Sequence, residues 1–150
     1  CRDSDGFRGV AKQLIGSVIK LDYPSVGATE NAVITATLAK GETTILNAAI
    51  EPEVVDTILM LQKMGALITI GSDRVIHIEG VERLHGANHA PITDRIEVAS
   101  FAAAAVATDG RVTVRGAQQQ HMIPFLNMLR KAGGEFDIDE DASTYILHQV

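Results

Sequence analysis

The sequence repeats itself, and this repetition constrains the fold more than any other feature. The segment LQKMGALITI (residues 61–70) aligns with LRKAGGEFDI (residues 129–138) at an offset of 68 residues. Upstream, AKGETTILNAA (residues 39–49) resembles ATDGRVTVRGA (residues 107–117), with Gly41 matched to Gly110 at an offset of 69 residues. Two offsets that differ by one residue indicate an internal duplication with a single-residue length change. The chain is therefore predicted to contain two copies of one supersecondary unit.

The first copy alternates strand patterns with helix patterns. Its opening segment alternates apolar and polar side chains, as a half-buried strand does. Its first helix pattern stops at Gly41, and its second has Pro52 in the first turn and stops at Gly65. The predicted unit is β-α-β-α-β-β, and the fold class is α/β. The predicted elements are a strand (17–23), a helix (28–41), a strand (42–49), a helix (51–65) and a hairpin that turns at Gly71, Ser72 and Asp73.

The second copy has the same pattern from its first helix onward. Pro124 lies inside its second helix pattern, which predicts a late start or a kink there. Between the copies, RLHGANHAPIT (residues 83–93) has no period and contains Gly, Asn and Pro, which is typical of a hinge. We therefore place one repeat with the hinge in residues 1–90 and the other repeat in residues 91–150. The predicted elements of the second copy are a helix (93–110), a strand (111–117), a helix (118–133) and a hairpin (134–149).

Composition excludes some classes of partner. The formal net charge is −6 and no run of Lys or Arg occurs, which argues against nucleic acid. The longest apolar run, SFAAAAVAT (residues 100–108), is too short to span a bilayer, so no membrane partner is expected. Cys1 is the one cysteine, so no intrachain disulfide can form. The amino terminus has no apolar segment of a signal peptide, and we interpret it as a cut inside a longer chain.

Four ordered motifs resemble one enzyme family. They are YPSVGATEN (23–31), ATLAKGETTILNAAIEPEVVDTILMLQKMGA (36–66), IHIEGVERLHG (76–86) and TDRIEVASF (93–101). Together they resemble the bacterial UDP-N-acetylglucosamine 1-carboxyvinyltransferases, or enolpyruvyl transferases, from about Leu14 to the end. The resemblance implies an inverse α/β barrel of β-α-β-α-β-β repeats, three to each of two lobes, with the substrates in the cleft between them. The two repeats here would be the last of one lobe and the first of the other.

The same resemblance implies a reaction. The family moves the enolpyruvyl group of phosphoenolpyruvate to the 3′-hydroxyl of UDP-N-acetylglucosamine and releases phosphate. It is a cytoplasmic reaction that needs no cofactor and begins peptidoglycan synthesis. The family's reactive cysteine lies on a glycine-rich loop upstream of this segment, and the RDSDG that follows Cys1 does not match that loop. We therefore assign no catalytic residue and expect this segment to be inactive alone.

The first candidate site is the link between the first strand and the first helix. The resemblance implies that Tyr23, Pro24, Ser25, Val26 and Gly27 contact the uridine diphosphate part of the nucleotide sugar. Small residues at a helix start let an anion approach backbone N–H groups, where the helix dipole favours negative charge. The alternative is a plain helix cap formed by Ser25 or Gly27.

The second candidate site is TDRIE. Asp94 and Glu97 have the spacing of a capping box, which is the structural interpretation. The resemblance places this motif at the lobe junction beside the substrate cleft, where Arg95 would fix the closed form or attract anionic substrates. We assign Asp94, Arg95 and Glu97 to the lobe junction.

Two further pairs are interpreted as structural. Glu51 and Glu53 suit a helix amino terminus by charge alone. His85 and His89 are four residues apart, but the glycine and proline nearby break any helix, so we predict no metal site.

Two other functions remain open on the sequence. One is a non-enzymatic two-repeat module that binds a ligand or partner and self-associates through exposed repeat faces. The other is a 3-phosphoshikimate enolpyruvyl transferase, which would bind a shikimate phosphate instead of the nucleotide sugar.

Overall fold

The computed structural model of the chain describes residues 2–3, 6–7, 9–139 and 144–149. The chain divides into two compact units, Cys1–Ala90 (unit 1) and Pro91–Val150 (unit 2). In the described residues, no helix combines the length and the apolar character that crossing a bilayer requires.

Unit 1 contains a four-stranded sheet whose buried face packs against two helices. The strand order is β3-β4-β6-β5; β3 is parallel to β4, and β6 is antiparallel to β4 and β5. The short strands β1 and β2 pair only with each other in the described residues. The elements of unit 1 are β1 (Arg2–Asp3), β2 (Gly6–Phe7), β3 (Val18–Lys20), α1 (Val26–Ala36), β4 (Glu42–Leu46), α2 (Pro52–Lys63), β5 (Leu67–Ile70) and β6 (Ile76–Glu79).

Alternation along the strands builds the core of unit 1. Ile45, Ile76 and Ile78 point to the same face and are buried, and Ile58 of α2 is buried with them. Burying such side chains contributes about 1.5–3 kcal/mol each. The predicted orientation of Ile76 and Ile78 is therefore confirmed, and so is the β-α-β-α-β-β order of the first copy.

Unit 2 has the same order from its first helix onward. Its sheet has the order β7-β9-β8, with both neighbouring pairs antiparallel. Its core joins Val98 and Ala102 of α3 to Met122, Leu126 and Leu129 of α4. The elements are α3 (Arg95–Ala107), β7 (Arg111–Arg115), α4 (Gln119–Lys131), β8 (Gly134–Ile138) and β9 (Thr144–Gln149). The turn of the second predicted hairpin, at residues 140–143, lies outside the described residues.

Strands in both units are shorter than predicted. β3 covers only residues 18–20, and Tyr23, predicted on its apolar face, is 69% exposed. β4 ends at Leu46 because Asn47 takes a left-handed backbone conformation with φ 57°. β7 ends at Arg115 in the same way, because Gly116 has φ 79°.

The first helix ends at Ala36, five positions before the predicted stop at Gly41. Beyond the helix, the Thr37 hydroxyl donates to the Ile34 carbonyl at 2.7 Å. The Lys40 N–H then donates to the Leu14 carbonyl at 2.9 Å. The chain therefore leaves the helix to pair with the segment before β3, and this tertiary pairing overrides the local helix pattern.

The second helix of unit 2 begins at Gln119, so a late start at Pro124 is wrong. A proline at this position removes one backbone hydrogen bond of the helix. Three buried side chains on one face of α4, Met122, Leu126 and Leu129, outweigh that loss.

Candidate functional site

The topology of unit 1 brings two helix starts to one edge of its sheet. Because β3 and β4 are parallel, their carboxyl ends meet at the same edge, and α1 and α2 begin there. The Leu21 N–H donates to the Leu46 carbonyl at 3.1 Å, and the Asn47 side-chain amide donates to the Leu21 carbonyl at 3.0 Å. These bonds fix the two strand-to-helix links beside each other.

The start of α1 is capped by a serine and is open at Gly27. Ser25 caps the helix, since its hydroxyl accepts from the Ala28 N–H at 3.3 Å. The N–H groups of Val26 and Gly27 have no partner within the helix because they belong to its first turn. Gly27 is exposed, and a Cβ built on it would meet no atom within 4 Å. The capping interpretation of Ser25 is confirmed, and the surface beside Gly27 is open to solvent.

Charge distinguishes α1 from its neighbour α2. The first turn of α1 contains no acidic residue, whereas α2 has Glu51 as its N-cap and Glu53 in its first turn. Glu51 makes no side-chain capping hydrogen bond, so its contribution at the helix start is its charge. Of these two helix starts, α1 is therefore the one with no carboxylate in its cap or first turn.

Two further residues at this edge were missed by the sequence analysis. Thr29 is fully buried; its hydroxyl donates to the Ser25 carbonyl at 2.7 Å and accepts from the Ala49 N–H at 2.9 Å. Arg74 places its guanidinium 3.4 Å from the Ala48 carbonyl, and its own carbonyl accepts from the Ala48 N–H at 2.9 Å. In the sequence, a basic residue directly after the predicted Gly-Ser-Asp turn was the feature that could have identified Arg74.

The five predicted contact residues are all at least partly exposed. Tyr23 is largely exposed, Gly27 is exposed, and Pro24, Ser25 and Val26 are half-buried. The segment therefore has a ring, a hydroxyl and two backbone N–H groups within five consecutive residues that are all at least partly exposed.

The TDRIE motif begins α3. Asp94 is the N-cap, and its carboxylate accepts from the N–H groups of Ile96 at 2.8 Å and Glu97 at 3.3 Å. Arg95 is half-buried at the first helical position. Asp94 and Glu97 also line a cavity of about 450 Å³ with Phe101, among other residues. The capping function of Asp94 is confirmed, while the lobe-junction role of the motif stays a prediction.

The two histidines of the hinge segment do not converge. His89 lies between two residues of α2, with Nε2 3.1 Å from the Asp56 carboxylate and Nδ1 3.2 Å from the Lys63 ammonium group. His85 Nδ1 lies 3.0 Å from the Gly86 carbonyl. Among the described residues, no cluster of three or more His, Cys, Asp or Glu side chains forms a candidate metal site.

The fold is that of an enolpyruvyl transferase. The structure of the enolpyruvyl transferase NikO from Streptomyces tendae superposes with a TM-score of 0.76 at 24% sequence identity, over 93% of this chain and 36% of that one. At this identity the likeness concerns the fold alone.

The sequence comparisons are more specific. The profile of the family described as EPSP synthase (3-phosphoshikimate 1-carboxyvinyltransferase) matches residues 6–149, so the chain belongs to that family. The UDP-N-acetylglucosamine 1-carboxyvinyltransferase of Protochlamydia amoebophila is 51% identical over 91% of this chain and 30% of its own length. The enzyme of the same name from Chlamydia abortus is 48% identical over 98% of this chain and 33% of its own length. The resemblance to that group of enzymes is confirmed, and the chain spans about a third of the length of these relatives.

Proposed function

We propose that the chain is the part of a UDP-N-acetylglucosamine 1-carboxyvinyltransferase that supplies one wall of the nucleotide-sugar site. The whole enzyme would transfer the enolpyruvyl group of phosphoenolpyruvate to the sugar 3′-hydroxyl and release phosphate. That reaction belongs to cytoplasmic peptidoglycan synthesis. The proposal is supported by relatives of this name whose sequences are 51% and 48% identical to the chain.

The start of α1 is the proposed contact for the diphosphate. The single observation that carries this assignment is that the first turn of α1 has free space at Gly27 and no acidic residue. An anion there would accept hydrogen bonds from the N–H groups of Val26 and Gly27 at the positive end of the helix dipole. The Ser25 hydroxyl would reinforce the contact, and the exposed Tyr23 ring would lie beside the uridine. Arg74 adds a positive charge at the same edge.

The segment spanning Asp94, Arg95 and Glu97 is the proposed lobe junction. In this proposal residues 1–90 are the last repeat of one lobe with the hinge, and residues 91–150 are the first repeat of the other. Asp94 anchors the start of α3, so the hinge would end at a fixed point.

A titration of the chain with UDP-N-acetylglucosamine tests the proposal. With one wall of the site present, we expect weak binding, with a Kd on the order of 1 mM. Ser25→Asp keeps an oxygen that caps the helix but places a negative charge against the diphosphate, so it should abolish binding without unfolding the chain. Ser100→Asp adds the same charge to an exposed position of α3 and is the matched control.

The same titration separates the other candidates. Equal binding by Ser25→Asp, or binding of 3-phosphoshikimate in place of the nucleotide sugar, would contradict the proposal. A phosphate-release assay with both substrates should show no turnover by this chain, since no catalytic residue is assigned to it. Turnover would show that catalytic groups lie within these residues.

The non-enzymatic module makes a different prediction for assembly. The helices expose large apolar side chains, among them Ile34, Leu59 and Phe101. Neighbouring repeats would cover such faces in a complete lobe. A stable dimer in light scattering, together with no affinity for the nucleotide sugar, would favour the module.

A further inference from the structure

The segment that follows β6 stays attached to unit 1 for several residues. The Val81 N–H donates to the Thr37 carbonyl at 2.8 Å, just beyond the end of α1. Leu84 then packs against the core of unit 1. The sequence predicted a hinge over residues 83–93, but the chain is still fixed to unit 1 where that hinge would begin.

The segment next meets the end of α2. The His85 N–H donates to the carbonyl of Met64, the C-cap of α2, at 2.9 Å. Carbonyls at the end of a helix lack partners within the helix, so this bond satisfies one of them. The His85 ring lies against the helix end as well, because a Cβ built on Gly65 would be 3.1 Å from its Nε2.

After three exposed residues, the chain returns a side chain to the same helix. Residues 86–88 are exposed, but the His89 side chain is only 9% exposed. Its Nε2 lies 3.1 Å from the Asp56 carboxylate, and its Nδ1 lies 3.2 Å from the Lys63 ammonium group. Asp56 and Lys63 are seven positions apart, which places them two turns apart on one face of α2. We name residues 84–89 the strap.

The two partners of His89 select one form of its ring. An ammonium group can only donate, so Nδ1 has to accept from Lys63 and carries no hydrogen. An ionised carboxylate can only accept, so Nε2 has to carry the hydrogen that is donated to Asp56. Only the neutral imidazole with hydrogen on Nε2 satisfies both partners. Hydrogen bonds to charged groups are roughly twice as strong as those between neutral groups, so both bonds favour this position of the ring.

The second repeat shows that the helix itself does not need this pair of charges. At the offset of 68 residues that aligns the ends of α2 and α4, Asp56 corresponds to Pro124 and Lys63 to the exposed Lys131. A lysine near the end of a helix is favoured by the helix dipole in both copies. The carboxylate of Asp56 has no counterpart in α4, which forms a helix of 13 residues without it. Asp56 is therefore explained by the strap and not by the repeat.

We propose that His89 is a positioning residue that locks the strap onto α2, so that residues 84–89 move with unit 1 and the link to α3 bends only after His89. Four residues then separate the lock from Asp94, the N-cap of α3. One of them is Pro91, which has a fixed φ and restricts Ala90 to extended conformations. The lock therefore shortens the flexible part of the predicted hinge from eleven residues to four. No contact with a nucleotide sugar enters this argument, so it does not depend on the proposed function.

NMR of the whole chain tests the proposal. The ¹⁵N shifts of the imidazole should show that His89 carries its hydrogen on Nε2. Residual dipolar couplings of the amides of the strap should fit the alignment tensor determined from α2 and the sheet of unit 1. The couplings of Ala90, Ile92 and Thr93 should not fit that tensor.

Two substitutions of His89 separate its hydrogen bonds from its volume. His89→Phe keeps a ring but loses both nitrogen atoms. We expect the couplings of residues 86–89 to leave the tensor of unit 1, and the exchange of the His85 amide to rise about tenfold or more, because two hydrogen bonds to charged groups are lost. His89→Gln has an N–H that can donate to Asp56, so it should restore part of the protection.

A lysine pair provides the matched control. Lys63→Met removes the donor to Nδ1 and should both change the Nδ1 shift of His89 and speed the exchange of the His85 amide. Lys131→Met changes the equivalent exposed lysine of unit 2 and should change neither.

Each other result overturns the proposal. Hydrogen on Nδ1 in the unchanged chain would mean that Lys63 is not the donor. Strap couplings outside the tensor of unit 1 would mean that the strap is not locked, and couplings of residues 90–93 inside it would mean that the chain bends elsewhere. An unchanged strap in His89→Phe would mean that Leu84 and His85 hold it alone. If His89→Phe unfolds unit 1, Lys63→Met decides, because it alters only an exposed side chain, and an unchanged strap in that variant overturns the proposal.

Discussion

Replacing one buried threonine of unit 1 should loosen the edge at which the nucleotide sugar is proposed to bind. The Thr29 hydroxyl accepts from the buried Ala49 N–H at 2.9 Å. Thr29→Val keeps the volume and shape of the side chain but leaves that N–H without a partner. An unsatisfied buried donor costs about 1–3 kcal/mol, so unit 1 should lose stability by that amount.

A second buried threonine provides the control. Thr37 is 1% exposed, and its hydroxyl donates to the Ile34 carbonyl at the end of α1. In Thr37→Val no N–H group loses its partner, because the Thr37 hydroxyl is the donor. Its cost should be about 0.5–1.5 kcal/mol, the net value of an ordinary hydrogen bond.

Urea denaturation followed by hydrogen–deuterium exchange measures the two variants unit by unit. With a slope of about 2 kcal/mol per molar urea, a loss of about 2 kcal/mol lowers the midpoint of unit 1 by about 1 M. Exchange should rise most in residues 47–51, and the midpoint of unit 2 should not change. If Thr29→Val costs no more than Thr37→Val, the Thr29 hydroxyl does not stabilise the link at Ala49 and the reasoning is wrong.

Three further predictions concern stability. Ile45→Ala should cost about 2–5 kcal/mol because Ile45 is fully buried, while Val114→Ala in β7 should cost clearly less because Val114 is only half-buried. Urea midpoints of each unit would show the difference. Asp94→Ala should destabilise α3 by about 1 kcal/mol because the helix loses its cap, and Asp94→Asn should keep most of that stability. Amide exchange in the first turn of α3 measures both effects. Gly65→Ala should destabilise unit 1 by about 1 kcal/mol or more, because Gly65 has φ 99° and a Cβ there would lie 3.1 Å from the His85 side chain. Thermal unfolding measures this loss, and Gly86→Ala, at a position with open space, is the control.

The sequence predicted the elements that local patterns determine. Apolar alternation identified the strand of Ile76 and Ile78, and the start of α2 at Pro52 and its end before Gly65 followed from backbone preferences. The candidate site was also predictable in part, since a serine followed by small residues marks a helix start with free space. Ser25 caps α1 as that pattern predicts.

The remainder depends on contacts between distant parts of the chain. The end of α1 is set by pairing of Lys40 with Leu14, which no local helix rule includes. Arg74 reaches the site edge only because the tip of the hairpin lies against Ala48.

The most direct test of the central claim is an NMR titration of the chain with UDP-N-acetylglucosamine, resolved by residue. We predict that the largest shifts occur at the amides of Val26 and Gly27, with smaller shifts at Tyr23 and Arg74, and that Ser25→Asp removes them. Shifts centred on another part of the chain, or the same shifts in Ser25→Asp, would contradict it.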